Sequence, residues 1–277
     1  MADRYGIIGY PLTHTLSPYM HFRYAYYLGV EETYELFETP PDKLHELLTE
    51  NHRAGILGMN VTIPYKNEII RYLYDIDPAA AKTGAVNTLK YTSNGYIGFN
   101  TDTTGLQKAL EIKDIDVFNK DILILGAGGA ARAAAYVCRV SGCRSISVLN
   151  RTPEHARGIC SDFNCGLYDY DSIAKLDKPS YIAFQTTSVG MYPDTGKMLT
   201  LPESLMRRFE SAIDVIYNPP ETVFFKTVSS MGIKAVNGFD MLIYQGLASR
   251  HIWKPDEIIT DDIRRRVYHE CSCYKWS

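Results

Sequence analysis

The sequence predicts an α/β protein built from two domains. Strand-like apolar runs alternate with helix-like segments along the chain, which is the pattern of α/β architecture. The segment 121–152 reads as a strand, a glycine-rich turn, a helix and a second strand. The chain has 277 residues, enough for about two domains. We therefore expect an N-terminal α/β domain and a second domain of the Rossmann type.

The glycine-rich turn has the features of a phosphate-binding loop. The apolar run 122–125 fits a strand buried on both faces, and Gly126 permits a sharp turn after it. Gly128 lets a pyrophosphate approach the backbone, while the small Ala131 lets the next helix pack closely on the sheet. The free N–H groups of that helix would then face the phosphates. The predicted cofactor contacts in this turn are Gly126, Ala127, Gly128, Gly129 and Ala130.

The end of the second strand indicates which dinucleotide binds. An NAD site usually carries an acidic residue there to accept from the ribose 2′-hydroxyl. Here Asn150 and Arg151 occupy the position, followed by Thr152 and, three residues on, His155. No carboxylate would repel a 2′-phosphate, and a guanidinium can pair with one. The pattern favours NADP, although Arg151 has the alternative of being a solvated surface residue.

The order of elements predicts where each domain lies. We assign residues 1–101 plus 238–277 to a substrate-binding domain and 102–237 to the dinucleotide-binding domain. Ser17 is expected to cap a helix that has Pro18 in its first turn. Strands are expected at 5–9, 33–38, 55–63, 86–91, 96–99, 122–125, 145–149, 180–185, 212–216 and 234–236. Helices are expected at 17–28, 41–51, 66–74, 78–82, 103–112, after the glycine turn, and at 238–251 and 255–269.

Composition argues against several classes of protein. The net charge is −3 without a basic run, so neither a nucleic-acid groove nor an anionic-membrane surface is indicated. No apolar stretch approaches the roughly 20 residues of a membrane span, and residues 1–9 are too short and polar for a signal peptide. The six cysteines lack metal-site spacing, so we expect free thiols, no metal and a cytoplasmic location.

Two charged residues of the first half are candidates for catalysis. Reduction of a carbonyl places negative charge on oxygen, which a neighbouring cation or acid must stabilise. Lys66 and Asp102 each follow a predicted strand, where ligands of open α/β sheets bind. Taken singly, Lys66 is more simply a surface lysine and Asp102 a helix cap. His14 and His21 are expected to be structural.

Taken together, the motifs resemble those of the shikimate dehydrogenase family, in the same order and across nearly the whole chain. The matching segments are 10–18 (YPLTHTLSP), 60–66 (NVTIPYK), 84–88 (GAVNT), 98–102 (GFNTD), 126–132 (GAGGAAR), 150–152 (NRT), 185–191 (QTTSVGM), 214–219 (DVIYNP) and 237–242 (NGFDML) with Gln245. The resemblance implies reversible, NADP-linked reduction of 3-dehydroshikimate to shikimate in aromatic amino-acid biosynthesis. Substrate would bind between the two domains.

The same resemblance implies roles for individual residues. Lys66 and Asp102 would be the catalytic pair, with Lys66 acting as proton donor or as electrostatic clamp. The implied substrate contacts are Thr15, Ser17, Thr62, Asn87, Tyr217 and Gln245. The implied cofactor contacts beyond the glycine turn are Asn150, Arg151, Thr152, Thr187, Ser188, Gly238 and Met241.

Three positions depart from the family pattern. Thr15 replaces the usual serine, Gln185 stands where asparagine is common, and only His155 stands where a second basic residue is usual. These departures keep three alternatives open: a preference for quinate, a preference for NAD, or a ligand-binding relative without activity. A monomer and a homodimer both fit the sequence.

Overall fold

A computed structural model describes residues 2–12 and 15–275 of the chain. The backbone divides into two compact units. The first contains the residues up to Thr101 and those from Gln245 onward, and the second is Asp102–Tyr244. The sequence-based limits placed the return to the first unit at residue 238, whereas this division falls inside a helix. His14, expected to be structural, lies outside the described residues.

The secondary structure alternates as the sequence predicts. The strands are β1 Asp3–Gly9, β2 Glu32–Glu38, β3 Gly58–Val61, β4 Asp75–Ile76, β5 Thr88–Thr92, β6 Gly95–Phe99, β7 Asp121–Leu125, β8 Ser145–Leu149, β9 Gly166–Tyr168, β10 Tyr181–Gln185, β11 Phe209–Asp214 and β12 Lys234–Val236. The α-helices are α1 Ser17–Leu28, α2 Leu44–Arg53, α3 Pro78–Thr83, α4 Asp102–Ile112, α5 Gly129–Val140, α6 Pro153–Phe163, α7 Glu203–Met206, α8 Val223–Ser230, α9 Phe239–Trp253 and α10 Asp261–Ser272.

The first unit contains a mixed sheet with the strand order β2-β1-β3-β5-β6-β4. Strand β1 runs parallel to β2 and β3, whereas β5 is antiparallel to both β3 and β6. Because Ile8 pairs with Val61, the carboxyl ends of β1 and β3 lie at one edge. A buried cluster that includes Leu44, Met59 and Tyr65 packs against this sheet. The loops that follow β1 and β3, which carry the predicted substrate contacts Thr15, Ser17 and Thr62, therefore begin at the same edge of a well-packed sheet.

The start of α1 differs from the prediction. Leu16, not Ser17, occupies the N-cap, and its side chain makes no capping hydrogen bond. Ser17 is buried as the first helical residue, and its backbone N–H donates to Thr15 Oγ1 at 3.3 Å. The cap prediction was wrong because the N-cap lies one residue earlier, at Leu16, and Thr15 accepts from the N–H of the first helical residue. The predicted end of the helix is confirmed, with Gly29 in the left-handed conformation (φ 66°).

Strand β3 is shorter than the predicted 55–63 segment. Gly55 has φ 71°, and its N–H donates to the carbonyl of His52, so it ends α2 instead of beginning a strand. At the other end, the N–H of Tyr65 donates to the carbonyl of Thr62, which starts a turn. The helix predicted at 66–74 is a short 3₁₀ segment at Glu68–Tyr72. Lys66 consequently lies in the turn between β3 and that segment.

The second unit is a doubly wound parallel sheet. Its strand order is β12-β11-β10-β7-β8-β9 and every pairing is parallel. Numbered within the unit, this is the order of a dinucleotide-binding Rossmann sheet, whose topological switch point lies between β7 and β10. Two separate buried clusters pack on the sheet, one containing Ile122 and Ile124 and the other Leu123 and Leu125. The Rossmann prediction is confirmed, although the sequence analysis missed α6, α7, α8, β4 and β9.

Candidate functional site

The turn after β7 has the geometry that the glycine pattern predicts. Gly126 has φ 114°, a conformation that residues with a Cβ avoid. A Cβ at this position would lie 2.7 Å from Thr186 Oγ1 and 2.9 Å from Thr187 Cγ2. The N–H of Gly126 donates to the carbonyl of Leu149, which joins the turn to the end of β8. Glycine at position 126 is therefore required by the backbone conformation and by neighbouring protein atoms, whether or not a ligand binds.

Gly128 has a different reason to be glycine. It is the N-cap of α5, with φ −87° and ψ −168°, and any residue type can adopt this conformation. A Cβ built at Gly128 meets no protein atom within 4 Å. The space beside it is open at the helix N-terminus, where unpaired N–H groups and the helix dipole favour an anion. These residues fit the pyrophosphate of a dinucleotide.

The end of β8 presents polar groups and a cation. The N–H of Asn150 donates to the carbonyl of Tyr168, and its side-chain amide donates to the carbonyl of Thr152 at 2.7 Å. Thr152 is the N-cap of α6. The side chain of Arg151, between them, is exposed. The end of β8 therefore exposes a guanidinium to solvent at the position that recognises the ribose in dinucleotide-binding folds.

The loop after β10 contains the predicted contacts Thr187 and Ser188. Thr186 donates both its backbone N–H and its hydroxyl to the carbonyl of Leu125, at 2.9 and 2.8 Å. The loop is thereby joined to the strand that precedes the glycine turn. The two loops flank the switch point of the sheet, which is where ligands of doubly wound folds bind.

A buried carboxylate organises the loop after β11. Asp214 is 1% exposed, accepts from the N–H of Ile216 at 3.1 Å and accepts a hydrogen bond from the Thr222 hydroxyl. Burial raises the pKa of Asp214 to about 6, while these two hydrogen bonds act in the opposite direction. The loop between Asp214 and Thr222 carries Tyr217, which is half-buried.

Gly238 and Met241 lie at the beginning of α9. A Cβ at Gly238 would lie 2.0 Å from the carbonyl oxygen of Val215, so only glycine allows this approach. The N–H of Gly238 donates to the carbonyl of Ile216. Met241 packs at the edge of the buried cluster that contains Ile122. Gly238 therefore holds the loop of Tyr217 in place, and Met241 has a packing role within the second unit.

Two predicted substrate contacts of the first unit meet in one polar cluster. The Asn87 amide nitrogen lies 3.3 Å from Gln245 Oε1 and 2.9 Å from Thr101 Oγ1. Asn87 Oδ1 accepts from the backbone N–H of Thr101 at 2.6 Å, which fixes the orientation of the amide. Asn87 and Thr101 are each 2% exposed, and Gln245 is 9% exposed. The cluster brings β5, the end of β6 and α9 together.

Ser249 lies behind this cluster. Its hydroxyl oxygen accepts from the Asn60 amide at 2.9 Å, donates to the carbonyl of Gln245 at 3.0 Å, and lies 2.8 Å from Thr88 Oγ1 and 3.0 Å from Thr101 Oγ1. The sequence analysis named neither Thr101 nor Ser249 as a site residue. The spacing of Gln245 and Ser249, one helical turn apart on α9, was a usable signal for Ser249.

Ser17 connects to the same cluster through Tyr34. The Tyr34 hydroxyl donates to Asn60 Oδ1 at 2.8 Å. Burial raises the pKa of Tyr34 well above its ordinary value, and a hydrogen bond with Ser17 partly opposes this. His21 stacks on Tyr34 with 4.6 Å between ring centroids, and burial lowers its pKa to about 3, so it is neutral at pH 7. His21 thus belongs to the buried support of this region.

The remaining predicted residues occupy the loops. The N–H of Thr62 donates to the carbonyl of Ile8, which fixes Thr62 beside β1. The carbonyl of Lys66 accepts from the N–H of Val86 at 2.7 Å, so the backbone of Lys66 is tied to the segment leading to Asn87. Asp102 is 4% exposed and is the first residue of α4, in the second unit.

Residues 2–12 and 15–275 contain neither a metal cluster nor a membrane-spanning helix. In these ranges no three His, Cys, Asp or Glu side chains come together as a metal site. Helices in the same ranges are too short or too polar to cross a bilayer. The six cysteines are free thiols.

Comparison with known proteins gives the family. A model of the shikimate dehydrogenase substrate binding domain matches residues 7–89, and a shikimate/quinate 5-dehydrogenase model matches residues 107–192. The shikimate dehydrogenase (NADP(+)) of Methanococcus maripaludis strain C6 is 38% identical over 259 residues, covering 91% of this chain and 92% of the relative. The chain belongs to the shikimate dehydrogenase family.

Solved structures of the family have the same fold. Shikimate dehydrogenase 1 of Peptoclostridium difficile superposes with a TM-score of 0.86 at 36% identity, covering 98% of each chain. Shikimate 5-dehydrogenase of Thermus thermophilus, solved in complex with NADP(H) and shikimate, gives a TM-score of 0.83 at 31% identity. That alignment covers 97% of this chain and 99% of the Thermus chain.

Proposed function

We propose that this protein is an NADP-dependent shikimate dehydrogenase, which reversibly reduces 3-dehydroshikimate to shikimate in aromatic amino-acid biosynthesis. The observation that carries the proposal is the full-length likeness to relatives named shikimate dehydrogenase (NADP(+)), at 38% and 37% identity over more than nine-tenths of the chain. The open helix N-terminus at Gly128 supports a dinucleotide. The exposed guanidinium of Arg151 supports the 2′-phosphate that distinguishes NADP.

The proposed chemistry divides the reaction between Lys66 and Asp102. When bound, NADPH would supply the hydride to the substrate carbonyl. Lys66 would stabilise the oxygen as negative charge develops and provide its proton. Asp102 would orient Lys66 and accept a hydrogen bond from a substrate hydroxyl. In the oxidation of shikimate the same groups would act in reverse, with Lys66 receiving the proton.

The substrate contacts proposed for the first unit suit a hydroxylated acid. The hydroxyl of Thr15 accepts from the N–H of Ser17, which leaves its hydrogen available to a carboxylate. Thr62, Asn87 and Gln245 would recognise substrate hydroxyls, and Tyr217 of the second unit would complete the set. The polar cluster around Thr101 supports this role because it holds both amides before any ligand binds.

Quinate is a second candidate substrate. The extra methyl of Thr15, relative to the serine usual in the family, changes the space beside the substrate carboxylate. The matched family description also covers both shikimate and quinate dehydrogenases. For the cellular location we propose the cytoplasm, on the presence of six unpaired thiols.

The experiment that tests the proposal follows NADPH formation from shikimate and NADP⁺. We expect turnover by the wild type and a fall in kcat of at least about 100-fold for Lys66→Ala, since a positioned proton donor contributes that much. Lys82→Ala, which removes an exposed lysine at the end of α3, is the matched control and should keep full kcat.

Two outcomes would contradict the proposal. Normal turnover by a folded Lys66→Ala enzyme would remove Lys66 from the mechanism. Stabilisation of the wild type by shikimate or NADP⁺, without turnover of shikimate or quinate, would instead identify a ligand-binding relative.

A further inference from the structure

Gln185, the last residue of β10, folds its side chain back onto the loop that follows it. Its Oε1 accepts from the backbone N–H of Thr187 at 2.7 Å and from the Thr187 hydroxyl at 2.8 Å. Its Nε2 donates to the carbonyls of Thr187 at 3.3 Å and Val189 at 3.2 Å. A glutamine amide has two donor hydrogens and two acceptor lone pairs, so these four bonds use its full capacity.

These hydrogen bonds fix the conformation of residues 187–189, which belong to neither a helix nor a strand. The Thr187 hydroxyl, while donating to Gln185, also accepts from the N–H of Val189 at 3.1 Å. Gln185 is 0% exposed, so its hydrogen bonds do not compete directly with water. Residues 187–189 are therefore held by the Gln185 side chain at both ends, together with the Thr187 hydroxyl that Gln185 orients.

The backbone of Gln185 extends this support to a neighbouring loop. Its carbonyl accepts from the N–H of Val215 at 3.0 Å, at the beginning of the segment that carries Tyr217. The next residue, Thr186, donates to the carbonyl of Leu125 directly before Gly126. Gln185 therefore stands at the junction of three loops at the carboxyl edge of the parallel sheet.

We propose that Gln185 is a positioning residue for the dinucleotide, acting through the conformation of residues 187–189. The inference rests on one part of the proposed function, the binding of NADP at these loops. Gln185 is too buried to contact the cofactor itself, so its effect is on the loop. Asparagine, usual here in the family, is one methylene shorter and would hold a differently shaped loop.

Two substitutions separate hydrogen bonding from packing. Gln185→Met keeps a similar volume and removes all four hydrogen bonds. Gln185→Glu keeps acceptors for Thr187 and places a carboxylate oxygen against the carbonyls of Thr187 and Val189, where a donor is needed. Both variants should bind NADP⁺ at least about tenfold more weakly, the scale of one or two lost hydrogen bonds.

A control at the opposite edge of the same sheet accounts for general destabilisation. Asp121, at the start of β7, is 3% exposed and accepts from Ser145 at 2.6 Å and from Arg144. Asp121→Asn should lower Tm as the Gln185 variants do, but leave NADP⁺ affinity within about twofold of wild type. KM for shikimate at saturating NADP⁺ should change by less than about threefold in the Gln185 variants, because a loop on the cofactor side is altered.

The measurement is the Kd of NADP⁺ by isothermal titration calorimetry on the full chain, with Tm recorded for each variant. The measurement of Kd needs no turnover, so it tests the role of Gln185 even if shikimate is not the substrate. A failure of the inference can therefore be told apart from a failure of the proposed function. A folded Gln185→Met protein with wild-type Kd would overturn the inference. So would equal weakening of NADP⁺ binding in Asp121→Asn.

Discussion

At the scale of single residues, the site contains buried polar groups whose hydrogen-bond partners are protein atoms. Asp214 is the clearest case, since burial raises the pKa of its carboxyl to about 6 although two hydrogen bonds oppose the shift. Thr222, which donates one of them, is also the N-cap of α8. A change of charge at Asp214 therefore affects both the loop of Tyr217 and the start of a helix.

The raised pKa of Asp214 predicts a pH dependence of stability. An unfolded aspartate has a pKa near 3.9, so between about pH 4 and pH 6 the folded carboxyl keeps a proton that the unfolded chain has lost. The contribution of Asp214 to the free energy of unfolding is present at low pH and is lost as pH rises through 6, by at most about 3 kcal/mol. Asp214→Asn removes this dependence.

Urea unfolding of wild type and Asp214→Asn at about pH 4.5, near the lower end of this pH range, and at about pH 7.5, above it, measures the effect. We expect the stability of Asp214→Asn relative to wild type to increase between the lower and the higher pH. A difference in unfolding free energy that is the same at both pH values would contradict a raised pKa for Asp214.

At the scale of elements, the turn between β7 and α5 contains two glycines that are needed for different reasons, Gly126 for the fold and Gly128 for binding. Gly126→Ala should destabilise the fold, because φ is 114° and the new Cβ would meet Thr186 and Thr187. Gly128→Ala should keep Tm or raise it slightly, since its conformation suits alanine and the space is open. The same methyl should weaken NADP⁺ binding by about tenfold or more, because it fills the approach to the phosphates.

Gly196→Ala is the control for Gly128→Ala. A Cβ at Gly196 also meets nothing within 4 Å, and it lies in an exposed loop. Its Tm and its Kd for NADP⁺ should both match wild type. Wild-type affinity in a folded Gly128→Ala protein would place the phosphates elsewhere.

Elements with strong local signals were predictable from the sequence. Strand β12 was predicted at its observed limits, and the hairpin of β5 and β6 forms around Ser93-Asn94 as expected. Other elements were missed for two reasons: β4 has only two residues, whereas α6 has apolar residues at helical spacing (Ala156, Ile159 and Phe163) that the sequence analysis did not use. Ser17 was taken for a cap because local sequence does not show that the N-cap lies one residue earlier, at Leu16.

Long-range polar contacts were the other limit on prediction. The bond between Asn60 and Ser249 joins residues 189 positions apart, and no local pattern indicates it. Conversely, the glycine turn and Asn150-Arg151 act through local backbone geometry, and the structure places them at the predicted strand ends. The positions of Lys66 and Asp102 after strands followed from the same rule, and their catalytic roles remain predictions.

At the scale of the whole molecule, each unit has its own sheet and buried core, and they divide the proposed work. The first carries the polar cluster of Asn87 and Gln245, and the second carries the glycine turn and Arg151. The central claim is that the two together oxidise shikimate with NADP⁺.

The most direct test is a kinetic panel that measures kcat/KM for shikimate and quinate, each with NADP⁺ and with NAD⁺. The account predicts that shikimate with NADP⁺ gives the highest value. NADP⁺ should exceed NAD⁺ by about tenfold or more, the scale of a charge-assisted contact between Arg151 and the 2′-phosphate. Turnover of quinate but not shikimate, or an equal or higher value with NAD⁺, would contradict it.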